Sequence, residues 1–178
     1  MRFRKAKPHE AEAIAHLHAE SWQTAYKGIL TDAFLDNDVF NNRLKVWTER
    51  FQKREKNRFI CVVVEKKVLK GFVCVYGNDD AKWGALIDNL HVLPHFKGQG
   101  IGKRLMQEAA KWVFEKYKKN DFHLWVYEEN HASRGFYERM GGENVETELH
   151  ENPDGTFSNA LRYAWQNGLL KEQNRTNN

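Results

Sequence analysis

Residues 90–105 read Leu90-His91-Val92-Leu93-Pro94-His95-Phe96-Lys97-Gly98-Gln99-Gly100-Ile101-Gly102-Lys103-Arg104-Leu105. An apolar, strand-like run ends at Pro94, three glycines follow within five residues, and a helical pattern begins at once. Glycines let a backbone approach a ligand closely, and the first amides of a helix have no acceptor inside it. With the positive end of the helix dipole and the cations Lys97, Lys103 and Arg104, such a loop can hold phosphate. The Gly98-x-Gly100-x-Gly102 spacing is not the dinucleotide fingerprint, and the Gly-Lys-Ser/Thr ending of a P-loop is missing. A glycine-rich turn that binds nothing is the alternative reading of the same residues.

The elements that position this loop follow from periodicity. A short strand over 3–6 precedes an amphipathic helix over 9–26, with Pro8 at its first turn and Gly28 at its end. Leu44, Trp47 and Phe51 mark the buried stripe of a second helix. Strands over 58–65 and 68–76 meet at Lys66-Lys67 as a hairpin, and a third strand covers 83–93. A helix over 98–119, a strand over 122–127 and a helix over 130–140 follow. Two strands, 143–150 and 156–165, flank the turn Asn152-Pro153-Asp154-Gly155. The order predicts one α/β domain over 1–168, a mixed, mostly antiparallel sheet flanked by about four helices, with a polar, flexible tail over 169–178.

Composition bounds the rest. The 178 residues are 13% aromatic, which excludes a disordered chain. The longest apolar run, residues 59–64, is too short to span a membrane, and no secretory signal follows the basic first residues. Two cysteines, Cys61 and Cys74, sit in strand-like runs and point to a reducing cytoplasm. The net charge of +4 is unevenly spread. Residues 43–58 and 97–119 each carry seven basic and two acidic groups, while 120–161 carry two basic and nine acidic groups. The basic helix lacks aromatics on its charged face, so nucleic acid is not expected as a partner. Its cations are expected on the outer, solvated face. His16 and His18, two apart on a helix, diverge, and no HExxH or CxxC occurs, so no metal is expected.

Two segments together resemble a known family. Lys97-Gly98-Gln99-Gly100-Ile101-Gly102 resembles motif A of the GNAT N-acetyltransferases, with Lys97 at the usual Gln/Arg position. Residues 124–130, Leu-Trp-Val-Tyr-Glu-Glu-Asn, then 136–142, Phe-Tyr-Glu-Arg-Met-Gly-Gly, resemble motif B, with Ser133 for the usual Ala and Gly142 for the usual Phe. The resemblance covers nearly the whole chain and is strongest over 85–142.

It implies acetyl-CoA as co-substrate, lying between the strand of motif A and the strand after its helix. Backbone of Leu90, His91 and Val92 would pair with the pantetheine amides. Lys97, Gly98, Gln99, Gly100, Ile101, Gly102 and Lys103 would hold the pyrophosphate. Asn130 would touch the pantetheine arm or simply cap its helix. The implied chemistry is direct attack of an amine on the thioester, with Tyr137, otherwise a core aromatic, as general acid. Where some members carry a Glu base this chain has Leu86, so Asp88, two residues on and on the same strand face, is the candidate base. Trp22 and Tyr26, four apart on one helix face, are candidates for an amine pocket or for core packing. Glu143, Glu146, Glu148 and Glu151 are expected to border the acceptor side and favour a cationic, polyamine-like small molecule. Protein N-termini or lysines are the competing acceptors, a CoA-holding sensor without catalysis is the competing class, and a homodimer is left open.

Overall fold

The computed structural model describes residues 1–166 and 168; the tail expected over 169–178 lies outside them. Seven strands form one sheet in the order β1-β2-β3-β4-β5-β7-β6, namely β1 Arg2–Lys5, β2 Arg58–Glu65, β3 Val68–Asp80, β4 Gly84–Val92, β5 Phe122–Tyr127, β6 Glu143–Glu151 and β7 Phe157–Trp165. Only β4 and β5 run parallel; every other neighbouring pair is antiparallel. Four α-helices accompany it: α1 Ala11–Ala25, α2 Val39–Gln52, α3 Ile101–Tyr117 and α4 His131–Arg139. A π-helical turn, Phe34–Asp38, leads into α2 and carries no signal in the hydrophobic period.

Strand β2 and the first part of β3 are covered on both faces, which is why they read as continuous apolar runs. Alternation sends Cys61, Val63, Val73 and Val75 to the α3 side. Ile60, Val62, Phe72 and Cys74 go to the α1 and α2 side, around Trp47. The β2–β3 turn places Lys66 and Lys67 at φ 49° and 67°, the left-handed pair that a two-residue hairpin demands.

Two features of β4 shape everything that follows. Its pairing with β3 slips between Ile87 and Asn89, leaving Asp88 as an extra, bulged residue. Its pairing with β5 holds only at Ala85–Phe122 and Leu86–His123. Beyond those two pairs the strands part, and the backbone from Ile87 to Val92 has no β5 partner.

Candidate active site

The gap between β4 and β5 is a cleft of about 660 Å³. Its walls contain Leu90, His91 and Val92 from β4, then Lys97, Gly98, Gly100, Ile101, Gly102 and Lys103, then Asn130 and Tyr137. Asp88 and Tyr26 also line it. The structure thus gathers most of the residues singled out from sequence around one cavity. Gln99 does not line it, and its amide sits 3.4 Å from the His95 carbonyl. Trp22 does not line it either; it is buried behind Tyr26, ring to ring at 5.1 Å.

The loop end is built for an anion. Gly100 caps α3 in the left-handed region at φ 76°, and Gly98 stands at 75°. A Cβ at either position would meet no atom within 4 Å, so glycine is needed here for its conformation, not for space. The Arg104 amide bonds the Gly100 carbonyl, and the amides of Ile101, Gly102 and Lys103 before it have no acceptor within the helix. Lys97 and Lys103 line this end as expected. Arg104 instead turns along α3 to pair with Glu108 at 2.8 Å. Arg139, from the last turn of α4, is a further cation of the cleft wall that sequence reading missed. These donors fit a pyrophosphate, and the β4 backbone without a β5 partner fits a chain of amides.

The other end is set by α1, α2 and α4. Tyr137 is buried among Tyr163, Trp165 and Phe136, and yet reaches the cleft. Burial raises its pKa, so the phenol stays protonated. Asn130 accepts the Ser133 amide at 3.2 Å and so caps α4, which leaves its Nδ2 for another partner. Asp88 Oδ2 pairs with Arg50 Nη1 at 2.6 Å. Ser21 Oγ lies 2.9 Å from His91 Nδ1, and the His18 ring lies 4.3 Å from that of His91. Trp47 Nε1 donates to His18 Nδ1 at 3.0 Å. Desolvation, then the charges of Lys97 and Arg43, pushes His91 down to about 3. Desolvation, then His91, Arg43 and Arg50, takes His18 well below its ordinary value. Both imidazoles are neutral.

Two placements differ from expectation. The acidic strand β6 is the exposed outer edge of the sheet, beyond β7, and none of Glu143, Glu146, Glu148 or Glu151 lines the cleft. Glu146 is spent on Arg162 at 2.7 Å. Conversely, the basic block of α2 is not all solvated: Arg43 is buried, and Arg50 reaches β4. The spacing held the signal, because Arg43 lies four residues before and Arg50 three after the buried Trp47, on one helical face. No helix of the described residues is long and apolar enough to cross a membrane.

The profile of the acetyltransferase (GNAT) family matches residues 12–142. A "Probable N-acetyltransferase" of Mycobacterium tuberculosis is 29% identical over 142 residues, covering 78% of this chain and 78% of its own length. Among solved structures, the PaiA N-acetyltransferase from Thermoplasma acidophilum, in complex with coenzyme A, is similar with a TM-score of 0.69 at 17% identity, over 92% of this chain and 98% of that one. YncA from Salmonella typhimurium, solved with its cofactor acetyl-CoA, is similar with a TM-score of 0.64 at 16% identity, over 93% of each chain. At these identities the structural likeness speaks for the fold.

Proposed function

The chain belongs to the acetyltransferase (GNAT) family, and on that premise we propose that it moves an acetyl group from acetyl-CoA to the primary amine of a small molecule, by direct attack in a ternary complex. The observation that carries this reading is the cleft between the diverging β4 and β5, with anion-binding amides at one end and Tyr137 and Asp88 further in. Acetyl-CoA, when bound, supplies the thioester carbonyl that the amine attacks.

The residues of this chain do the remainder. Amides of 98–103, with Lys97, Lys103 and Arg139, hold the pyrophosphate. The β4 backbone over Leu90, His91 and Val92 that faces away from β3 pairs with the pantetheine amides, and an N–H there steadies the charge that develops on the carbonyl oxygen. Asn130 keeps its Nδ2 for the pantetheine arm. Asp88 takes the proton that a cationic amine must lose before it attacks, directly or through water. Tyr137 returns a proton to the leaving thiolate. All of these groups lie on one chain, so the reading needs no second copy.

A small acceptor is supported by the way the acceptor side is tied down. The Thr31 amide donates to Asp154 Oδ2 at 2.7 Å, fastening the segment after α1 to the β6–β7 turn. Both cysteines are free and buried in strands, which fits a reducing, cytoplasmic setting. The test is thiol release from acetyl-CoA over a panel of small primary amines and of peptides with a free terminus or lysine. Turnover of small amines supports the reading. Turnover of peptides alone makes the acceptor a protein, and tight acetyl-CoA binding without turnover of any amine makes the chain a sensor.

A further inference from the structure

Arg43 is a buried cation without an anion of its own. It is 8% exposed, lies 4.1 Å over the Trp22 ring, and makes its side-chain hydrogen bonds to the neutral Oδ1 of Asn42, from Nε at 3.0 Å and from Nη2. Among the described residues no carboxylate stands within ion-pair distance of it. Asp88, the acid whose charge reaches it, is already held by Arg50 at 2.6 Å.

Two more donors are shut in beside it. Trp22 Nε1 and His18 Nε2 are closed from solvent with no partner among the described residues. The indole of Trp47 donates to His18 Nδ1, so the His18 proton must sit on Nε2. The rings of His18 and Trp22 meet edge to face at 5.0 Å. One guanidinium and two N–H groups, on residues each more than nine-tenths buried, therefore meet at Trp22 without a single negative charge. Burying such groups is costly unless something pairs with them. The cluster adjoins the acceptor end of the cleft, since Tyr26 packs on Trp22 and the Arg43 charge reaches Tyr26, Tyr127 and His91.

We propose that Arg43, with Trp22 packed beneath it, recognises an oxyanion on the acceptor, so that the substrate is a small amine that also bears a carboxylate or a phosphate. The proposal rests on the small-amine reading above and narrows it. The guanidinium of Arg43, with no carboxylate of its own, disfavours a polycation and draws an amine of amino-acid type. The position of the amine follows: with its anion against α1 and α2, the amine projects toward Asp88 on β4.

The experiment compares initial rates of thiol release for matched acceptors, namely a set of L-amino acids, their amides, their decarboxylated amines and aminoalkyl phosphates. The wild type is expected to favour one oxyanion class over its neutral counterparts by roughly 30-fold or more in kcat/KM, the scale of a desolvated charge pair. Which class wins separates carboxylate from phosphate. Arg43→Met is expected to raise KM for that acceptor by a similar factor and to change kcat/KM for the neutral amines less than threefold. Trp22→Phe, which removes only the indole N–H from the cluster, is expected to raise the same KM more mildly. Neutral amines turned over as well as their anionic partners, or equal losses on both in Arg43→Met, overturn the proposal and leave the small-amine reading standing. If Arg43→Met does not fold, the wild-type comparison decides alone. If no small amine is turned over while acetyl-CoA binds, the small-amine reading falls first and takes the proposal with it.

Discussion

Asp88 Oδ2 sits 2.6 Å from Nη1 of Arg50, and the same nitrogen lies 2.6 Å from Asn89 Oδ1. One guanidinium from α2 thus clamps both residues that the β4 bulge turns to that side. The clamp fixes the carboxylate beside the point where β4 leaves β5, where the proposed mechanism has the attacking amine lose its proton. Asp88→Asn keeps the shape and removes the proton acceptor. It is expected to lower kcat/KM for the amine roughly 100-fold, with acetyl-CoA affinity within twofold by calorimetry. A loss under threefold would place the base elsewhere.

Tyr137, the proposed general acid, keeps its proton on the phenol because burial raises its pKa. Tyr137→Phe preserves the ring packing against Tyr163 and Trp165 and deletes only the hydroxyl. Steady-state kinetics should show kcat reduced roughly 100-fold, the lower end of general acid catalysis. Thermal stability should stay close to wild type. Full activity in this variant removes the hydroxyl from the mechanism.

A Cβ placed on Gly142 would stand 2.6 Å from Trp165 Cζ2, closer than packed atoms allow. The indole, anchored by its Nε1 on the Met140 carbonyl at 2.9 Å, fills the space where motif B usually carries a Phe at this position. Gly142→Ala is therefore expected to cost about 1–3 kcal/mol in urea unfolding. Trp165→Ala should cost about 3–5 kcal/mol through the cavity it leaves. Gly142→Phe combined with Trp165→Gly should lose clearly less than Gly142→Phe and Trp165→Gly made singly, because the ring returns from the residue just before β6.

His18 and His91 make stability pH-dependent. Their folded-state pKa values lie below the unfolded value, His91 at about 3. Between pH 6.5 and 3 the unfolded chain therefore binds protons that the folded chain refuses, so stability is complete above 6.5 and falls as pH drops. By pH 5.5 His91 should have removed on the order of 1 kcal/mol relative to pH 7.5, and His18 acts in the same direction. Urea unfolding at the two pH values checks this, and His91→Gln should recover part of the drop. Equal stability at both values contradicts the neutral pair.

Much of this was legible beforehand because it is local. The apolar runs at 58–65 and 122–127 match β2 and β5, and both motifs fall on the elements expected of them. What was not legible depends on residues far apart in sequence. Asp88 is presented by a bulge whose register is set by β3. Arg50 meets Asp88 across 38 positions and Trp165 meets Gly142 across 23, and no local pattern announces either. Charge was the least readable property: Glu143–Glu151 looks like an acidic wall in sequence, yet its strand is the sheet's exposed edge, while two cations counted as solvated turn inward.

The cleft between β4 and β5 is proposed to pass the acetyl group of acetyl-CoA to a small amine. Following thiol release and the mass of the acceptor in one reaction tests this. A small primary amine is expected to gain one acetyl group for each thiol released, and Tyr137→Phe to slow both equally. Acetyl-CoA bound with no small amine acetylated, or thiol released with no gain in acceptor mass, contradicts it.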